Sequence, residues 1–174
     1  MKRVTVITSA SGNGGTTFSR ELAARLGVPF HELDALFWGP GWTKMPAEEF
    51  RALVEPIVAA EGWVIDGSYQ GRLGDFVLRN ADLVVWLDLP VYIWLPRLLR
   101  RTLRRLGRRE ELWNGNRETL RNGLFSRNSL LVFTLRGYRS RRRRYREGLA
   151  RFPSTRLRTR AEVERFLSSA SRAT

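Results

Sequence analysis

The feature that most constrains this chain is a glycine-rich segment, SASGNGGTTFS, at Ser9–Ser19. It follows an apolar run of strand length, Arg3–Thr8, and precedes a segment whose apolar residues have helical spacing. A strand, a glycine-rich turn and a helix form the setting in which backbone amides bind phosphate. The alternative is a turn with incidental glycines. Six consecutive amides are the predicted phosphate ligands: Gly12, Asn13, Gly14, Gly15, Thr16 and Thr17.

The segment matches the phosphate-loop pattern G-x-x-x-x-G-K-S/T only in part. Gly14 and Thr16 fit, and Thr16 stands where the motif's hydroxyl binds magnesium, whereas Ser9 replaces the first glycine and Gly15 replaces the lysine. The lysine of this motif stabilises the negative charge that develops on the transferring phosphoryl group in the transition state. Its loss lowers the rate of phosphate transfer by a factor on the order of 10²–10³. The sequence therefore predicts nucleotide binding that persists and phosphate transfer that is weakened.

Apolar runs of strand length alternate with segments of helical period along the rest of the chain. The runs PFHEL, WVIDG, LVVWLDLP and STRLR are interpreted as further strands. Near-continuous apolar strands separated by helices are typical of a parallel α/β sheet. A chain of 174 residues without a long linker is predicted to form one domain, residues 1–174.

Three aspartates follow predicted strands, namely Asp34, Asp66 and Asp88. Ligands of an open parallel sheet bind beyond the carboxyl ends of its strands. These carboxylates are therefore candidates for holding a magnesium water shell or for accepting a proton from an acceptor hydroxyl. The alternative for each is a helix cap or a turn residue. Asp88, directly before Leu89 and Pro90, fits that alternative best, which leaves Asp34 and Asp66 as the stronger candidates.

Five segments occur in order over almost the whole chain: HELDALFWGPGW, GWVIDGSY, ADLVVWLDLP, LRRTLRR and LRTRAEVERFL. Together they resemble the adenylate-kinase-like P-loop family often labelled DNA topology modulation protein. The resemblance implies a nucleoside-monophosphate-kinase fold, which is an α/β three-layer sandwich. It also implies a five-stranded parallel sheet and an arginine-rich helical lid at about residues 97–150.

The resemblance further implies the cofactors ATP and Mg²⁺. On this analogy the amides from Gly12 to Thr17 wrap the donor phosphates, and Thr16 and Asp66 bind the metal ion. Arg101 and Arg104 resemble the arginines at the edge of the lid. The departure from the family pattern is Gly15, which stands where the family has lysine.

The implied reaction moves the γ-phosphate of ATP to a nucleoside monophosphate or to a small hydroxyl acceptor. Asp34 matches in position the acceptor-side aspartate of related small-molecule kinases, and it favours a hydroxyl acceptor because a phosphate acceptor needs no general base. The family label favours AMP. Lys44 is a candidate to replace the missing ammonium group, but it is better explained as a solvated loop residue.

The net charge of +14 comes almost entirely from arginines between residues 97 and 160. Arginine favours bidentate contacts to phosphate, so this half of the chain suits a polyanion. The run YRSRRRRYRE at Tyr138–Glu147 places arginine all around a helix, which is more than one nucleotide needs. Either the run is a solvated surface, or the chain is a degenerate nucleotide-binding module whose basic half binds nucleic acid.

Composition excludes several other kinds of site. The chain has no cysteine and a single histidine, His31. This excludes disulfides, thiolate metal sites and multi-histidine metal centres.

No targeting segment is recognisable, and no apolar stretch reaches the ~18 residues of a membrane span. A cytoplasmic protein without a membrane partner is therefore predicted.

The aromatic residues divide into two groups. Trp38 and Trp42 flank GPG after the second predicted strand, where they either line an acceptor pocket or cover the core. The WNGN segment, Trp113–Asn116, is interpreted as a turn inside the lid. Three tryptophans are predicted to be core residues: Trp63, Trp86 and Trp94. One apolar stripe is predicted along the last basic helix: Leu124, Leu131, Leu135, Tyr138, Tyr145 and Leu149.

Overall fold

The computed structural model describes residues 1–108, 110–117 and 129–170. Five strands form a parallel sheet, and two short strands form a separate antiparallel hairpin. The strands are β1 (Arg3–Thr8), β2 (Phe30–Glu32), β3 (Trp38–Gly39), β4 (Thr43–Lys44), β5 (Trp63–Asp66), β6 (Leu83–Leu87) and β7 (Ser154–Leu157). The order in the parallel sheet is β2-β5-β1-β6-β7. The predicted α/β class with a five-stranded parallel sheet is confirmed.

Helices connect these strands in the described ranges. They are α1 (Gly15–Leu26), α2 (Leu33–Phe37), α3 (Ala47–Ala59), α4 (Gln70–Leu73), α5 (Phe76–Arg79), α6 (Val91–Arg108), α7 (Leu130–Gly148) and α8 (Arg160–Ala170). Helix α1 ends at Gly27, whose left-handed backbone lets the chain turn into β2. Helix α8 begins with a side-chain cap, because the amide of Glu162 donates to Oγ1 of Thr159 at 3.1 Å.

Strand β1 is central because it pairs with two neighbours. Val6 lies opposite Asp66 of β5, and Thr8 lies opposite Leu87 of β6. All three strands run parallel, so the residues that follow them meet at one edge of the sheet. That edge carries the glycine-rich segment after Thr8 and the carboxylate of Asp66.

The sheet is covered on both faces, which gives three layers. On one face α1 and α8 contribute Phe18, Leu22 and Leu167 to a core around Val4 and Val64. On the other face α3 and neighbouring helices pack against a second set of strand residues. Both faces of the strands are thus apolar, as expected for a parallel sheet. The three tryptophans predicted in the core are buried: Trp63, Trp86 and Trp94.

The apolar stripe predicted along α7 is wrong at Leu135. The buried line on this helix passes through Thr134 and Tyr138, which lie four residues apart, whereas Leu135 is 45% exposed. One residue turns an α-helix by about 100°, so Leu135 points away from the face that Thr134 presents to the core. Tyr138 and Leu149 are buried as predicted. Leu124 lies outside the described residues.

The predicted lid at about residues 97–150 includes the distal part of α6, a turn at Trp113–Gly115 and α7. Residue 109 and residues 118–128 of this segment lie outside the described ranges. Among the helices that the structure describes, none combines the length and the apolar character needed to cross a membrane.

Candidate functional site

The loop between β1 and α1 depends on two glycines with left-handed backbone. Gly12 and Gly14 have φ angles of 91° and 85°, which L side chains rarely adopt. A Cβ atom at Gly12 would also lie 2.5 Å from the carbonyl oxygen of Trp94 in α6. Helix α6 therefore packs directly on the loop, and position 12 requires glycine for that close approach.

Most of the amides in this loop are available to a ligand. Asn13 is an exception, because its N–H donates to the carbonyl of Ala10 at 3.3 Å and its Nδ2 donates to the carbonyl of Leu87 at 3.3 Å. Within the described ranges, no protein acceptor is hydrogen-bonded to the amides of the other predicted ligands: Gly12, Gly14, Gly15, Thr16 and Thr17. The last three of these amides lie in the first turn of α1, at its positive end. This arrangement fits the phosphates of ATP.

Ser9, where the loop begins, is fixed by a buried network. Its Oγ donates to Oδ1 of Asp88 at 2.6 Å and accepts from Nε1 of Trp86 at 2.8 Å. The Asp88 side chain is fully buried and also accepts from Arg142 at 3.0 Å and from Arg156 at 2.9 Å. The interpretation of Asp88 as a cap or turn residue is therefore wrong. Its buried carboxylate joins the loop to α7 and β7 through ion pairs with two partly exposed arginines.

A second contact joins α7 to the loop. Nε of Arg141 donates to the carbonyl of Ser9 at 2.9 Å, and its Nη2 donates to the carbonyl of Thr134 at 2.8 Å. The guanidinium group lies against Gly137, where a Cβ atom would overlap Nη1. Part of the arginine run therefore turns inward to hold the loop, which the sequence interpretation of Tyr138–Glu147 did not predict.

Thr16 and Asp66 meet at the sheet edge. The Thr16 hydroxyl donates to Oδ2 of Asp66 at 2.7 Å and lies 3.2 Å from Oε1 of Glu32. Burial raises the pKa of Asp66 to about 7, and the negative charges of Asp34 and Glu32 act in the same direction, although the Thr16 hydrogen bond opposes them. The sequence analysis missed Glu32, which ends β2 next to β5.

These groups fit a magnesium ion that is bound together with phosphates. In the part of the chain that the structure describes, no three His, Cys, Asp or Glu side chains form a metal-binding group. Mg²⁺ bound by phosphates and water needs only one or two protein ligands. The Thr16 hydroxyl and the Asp66 carboxylate fit that requirement at the end of the loop.

Gly15 lies in close contact with its surroundings. A Cβ atom there would lie 2.8 Å from Cγ2 of Thr8 and 3.1 Å from Oδ1 of Asp66. Any larger residue at position 15 must therefore displace the Thr8 side chain. If a lysine occupied this position, its stem would start beside the Asp66 carboxylate.

Asp34 lies in α2, close enough to Asp66 for its charge to raise the pKa of Asp66. The Tyr69 hydroxyl donates to its Oδ1. Burial raises the pKa of Asp34, Glu32 acts in the same direction, and the hydrogen bond from Tyr69 and the charge of Arg101 oppose the rise. A buried carboxylate with a raised pKa is suited to proton transfer. Tyr69, which the sequence analysis did not single out, has a left-handed backbone with φ of 45°.

The arginines of α6 face the loop and the aspartates. Arg101 is half-buried and lies close enough to Asp34 to lower its pKa, whereas Arg104 forms a 3.7 Å ion pair with Glu110. Arg97 was not predicted as a site residue. Its Nη1 lies 3.9 Å from where a Cβ atom at Gly14 would be, so it is close to the loop. Lys44 is exposed, as the sequence analysis favoured, but it lies in β4 rather than in a loop, opposite Trp38, and does not itself line the cleft.

The turn at Trp113–Gly115 docks on the β3–β4 hairpin. Nδ2 of Asn114 donates to the carbonyl of Trp38 at 2.6 Å, and Nδ2 of Asn116 donates to the carbonyl of Gly39 at 2.9 Å. Oδ1 of Asn116 accepts from the amide of Trp42 at 2.8 Å. The rings of Trp42 and Trp113 form an edge contact with centroids 6.4 Å apart. Trp42 thus supports the docked turn.

One cleft of about 1600 Å³ collects the predicted site residues. Its lining includes the predicted ligands of phosphate and metal, the acceptor-side aspartate and the two lid-edge arginines: Gly12, Asn13, Gly14, Gly15, Thr16, Thr17, Asp34, Asp66, Arg101 and Arg104. The lining also includes residues that the sequence analysis did not assign to the site: Glu32, Tyr69, Arg97 and Arg141. Trp38 and Trp113 line the cleft as well. Trp38 also packs on the buried ring of Phe37, with centroids 5.0 Å apart, so it is both a pocket wall and a cover of the core.

Comparison with known proteins relates this chain to kinases. No family model matches it. It is 30% identical over 114 residues to a cytidylate kinase of Pyrococcus horikoshii, covering 58% of each chain. It is 33% identical over 109 residues to the uncharacterized protein YqaC of Bacillus subtilis, covering 62% of this chain and 61% of the relative. The match thus spans about three fifths of the length of these relatives.

Solved structures match over nearly the whole chain. A shikimate kinase from Acinetobacter baumannii, in complex with shikimate, superposes with a TM-score of 0.59 at 17% identity, covering 97% of this chain and 90% of the other. A shikimate kinase from Bacteroides thetaiotaomicron gives 0.57 at 18% identity, with 99% and 98% coverage. The chain has a P-loop kinase fold.

Other P-loop kinase folds superpose less closely. A deoxyadenosine kinase from M. mycoides with bound dCTP gives a TM-score of 0.52 at 12% identity, covering 95% of this chain and 97% of the other. The named relatives of known activity are kinases of nucleotides or small molecules. The likeness to the topology modulation family, and the correspondence of Gly15 to the motif lysine, stay predictions.

Proposed function

We propose that this chain binds Mg-ATP on the glycine-rich loop and transfers the γ-phosphate to an acceptor held near Asp34. The observation that carries this proposal is a row of loop amides that donate to no acceptor among the described residues. The row ends beside the hydrogen-bonded pair of Thr16 and Asp66. An anion site and a cation site thus adjoin at the carboxyl edge of the sheet, where parallel α/β folds bind ligands. The kinases among the relatives support the same reaction class.

The donor side uses the loop, α1 and α6. The amides of Gly12 and Gly14–Thr17 bind the phosphates, and the Thr16 hydroxyl and Asp66 hold Mg²⁺, which neutralises phosphate charge when it is bound. Arg101 and Arg104 extend from α6 into the same cleft and add positive charge. The amide of Asn13 is used inside the loop, so Asn13 shapes the loop rather than binding phosphate.

The acceptor side uses Asp34. Its buried carboxylate receives the proton that an acceptor hydroxyl loses as the oxygen forms its bond to phosphorus. The Tyr69 hydroxyl holds the carboxylate in place. A nucleoside monophosphate, whose phosphate oxygen is already ionised, needs no such base, so Asp34 favours a hydroxyl acceptor.

Transfer is expected to be slow because Gly15 supplies no ammonium group. The amides and the metal ligands remain, so nucleotide binding is affected less than the chemical step. Arg97, which lies beside Gly14, is a cation of α6 close to the loop.

A second candidate function rests on α7. Arg139, Arg143 and Arg146 follow at helical spacing of four and three residues, so they share one exposed face even though Arg141 and Arg142 turn inward. Such a face suits a phosphate backbone, and the chain would then be a nucleotide-binding module whose basic half binds nucleic acid. Affinity for DNA that falls steeply with salt and does not respond to ATP would favour this candidate.

Calorimetric titration with Mg-ATP tests the first proposal. We expect binding to the native chain, slow release of ADP in the presence of an acceptor, and weaker magnesium-dependent binding by Thr16→Val. Thr155→Val in β7 is the matched control, because this half-buried threonine lies outside the cleft. Absence of Mg-ATP binding by the native chain contradicts the proposal.

A further inference from the structure

The acceptor side of the cleft has a wall of one charge. Three segments of the described chain form it, namely residues 32–38, 66–71 and 110–113. These segments contain no lysine or arginine. Their charged residues are all acidic: Glu32, Asp34, Asp66, Glu110 and Glu111. The cations that line the cleft come instead from the helices on the donor side and from α8.

Arginines around this wall are already paired with its carboxylates, among them Arg20 with Glu32 at 3.8 Å. Arg104 pairs with Glu110 at 3.7 Å, and Arg117 pairs with Glu111 at 3.6 Å. Arg101 acts on Asp34, whose pKa it lowers. A phosphorylated acceptor would compete with these carboxylates for the same arginines. It would thereby leave carboxylate charge unpaired at the largely buried Glu32 and at Asp34, where charge repulsion is stronger than in water.

Aromatic rings form the rest of the wall. Trp38, Tyr69 and Trp113 line the same part of the cleft. Trp113 reaches this position because its turn docks on the hairpin through Asn114 and Asn116, over a sequence distance of more than 70 residues. Asn116 is buried, so this docking is part of the folded structure. Aromatic faces bind flat apolar surfaces such as those of sugar and base rings.

We propose that the acceptor is an uncharged compound with a ring and several hydroxyl groups, such as a sugar or a nucleoside, and that the Trp113 turn selects it. This inference rests on the proposed function. The carboxylates accept hydrogen bonds from hydroxyl groups, Asp34 receives the proton of the reacting one, and Trp113 covers the ring. The acid wall excludes the monophosphate of the same compound.

Calorimetry with two matched pairs tests the acceptor class. The probes are cytidine against CMP and glucose against glucose 6-phosphate, each titrated with and without Mg²⁺ and a non-hydrolysable ATP analogue. We expect one uncharged compound to bind at least about tenfold more tightly than its phosphate, and the pair that responds identifies the source as nucleoside or sugar. The inference is overturned if either phosphate binds more tightly than its uncharged partner, or if neither uncharged compound binds.

The two proposals fail differently in this experiment. Binding of cytidine or glucose without binding of the ATP analogue contradicts the proposed function and leaves the acceptor class intact. Binding of the analogue together with CMP in preference to cytidine supports the phosphate loop and overturns the acceptor class.

The Trp113 turn is tested with Asn116→Ala, which removes its hydrogen bonds to the hairpin. We expect the affinity for the uncharged acceptor to fall about tenfold or more while the affinity for the ATP analogue stays unchanged. Asn80→Ala is the matched control, because the Asn80 amide bonds to a carbonyl of α5 outside the cleft. Trp113→Leu, which leaves the asparagines in place, gives the same result if the ring itself selects the acceptor. Equal acceptor affinity in all variants overturns the role of the turn.

Discussion

The hydroxyl of Thr16 and the carboxylate of Asp66 are joined by a 2.7 Å hydrogen bond between the first turn of α1 and the end of β5. The contact exists because β1 and β5 pair in parallel, with Val6 opposite Asp66, so that the loop after β1 returns over the end of β5. Two residues that are fifty positions apart in sequence thereby become adjacent groups of one metal-compatible site.

Asp66 makes folding stability depend on pH. Burial raises its pKa to about 7, so the folded protein binds a proton more tightly than the unfolded chain between about pH 4 and pH 7. Stability from this group is therefore lost as the pH rises through that window, by on the order of 4 kcal/mol. We expect Asp66→Asn to gain stability over the native chain at pH 8 and to show no gain near pH 4. The free energy of unfolding in urea, measured for both proteins at pH 8 and near pH 4 with EDTA present, checks both expectations.

Asp82 provides a control with the opposite sign. Slight burial raises the pKa of Asp82, but hydrogen bonds from the amides of Lys2 and Arg3 outweigh it and lower the pKa overall. Asp82→Asn is therefore expected to lose stability at neutral pH and to match the native chain at acid pH. If Asp66→Asn behaved like Asp82→Asn, burial of Asp66 would not govern its ionisation.

Introducing a lysine at position 15 tests whether this position limits transfer. Gly15→Lys alone places its Cβ 2.8 Å from Cγ2 of Thr8. The double variant with Thr8→Ser removes that methyl group and keeps the hydroxyl. We expect phosphate transfer by the double variant to rise by on the order of 10² over the native chain, because the ammonium group stabilises the transferring phosphoryl group.

The controls for position 15 are Gly15→Ala with and without Thr8→Ser. These variants carry the same crowding and no charge, so they are expected to bind ATP and to stay slow. A double variant with lysine that binds ATP but does not accelerate transfer would show that catalysis is limited elsewhere.

The sheet and the loop could be predicted because they depend on local patterns. The buried strands appear in the sequence as apolar runs such as Arg3–Thr8, and the loop between β1 and α1 appears as glycines at the end of the first run. Asp34 and Asp66 followed from the rule that strand ends meet at one edge. The structure places both in one cleft with the loop.

The remaining site residues depend on pairings between distant segments. The carboxylate of Asp88 lies beside Ser9 and Arg142 because β6, β1 and α7 converge, and no local pattern encodes that convergence. Asn116 bonds to a hairpin more than 70 residues away. The arginine run was interpreted as a surface because its charge was visible in the sequence and the inward direction of Arg141 was not.

The Asp88 network is expected to be a major source of stability. Asp88→Asn leaves Arg142 and Arg156 without the buried charge that they share. Breaking a buried ion pair costs about 3–5 kcal/mol, and a loss near the lower value, about 3 kcal/mol, is expected because both arginines are partly exposed. Glu147→Gln is the control, because it breaks an exposed pair with Arg143 at 3.0 Å whose contribution is about 0.5 kcal/mol. The free energy of unfolding in urea measures both. Equal losses would contradict the buried role of Asp88.

Gly137 permits the contact between Arg141 and the loop. A methyl group at position 137 overlaps Nη1 of Arg141, so Gly137→Ala is expected to displace the guanidinium group from the carbonyl of Ser9. The loop then loses one of its fixed points, and we expect affinity for Mg-ATP to fall by about tenfold, since a displaced loop aims its amides less well.

The matched control for that change is Gly148→Ala, at the end of the same helix. Nothing lies within 4 Å of a Cβ atom at this position, and alanine is a better helix former than glycine by about 1 kcal/mol. Gly148→Ala is therefore expected to gain stability and to bind Mg-ATP like the native chain. Arg141→Ala should reproduce the loss seen in Gly137→Ala, and the double variant should lose no more than either single one, because both changes remove the same hydrogen bond. Additive losses would show that Gly137 acts on the loop by another route.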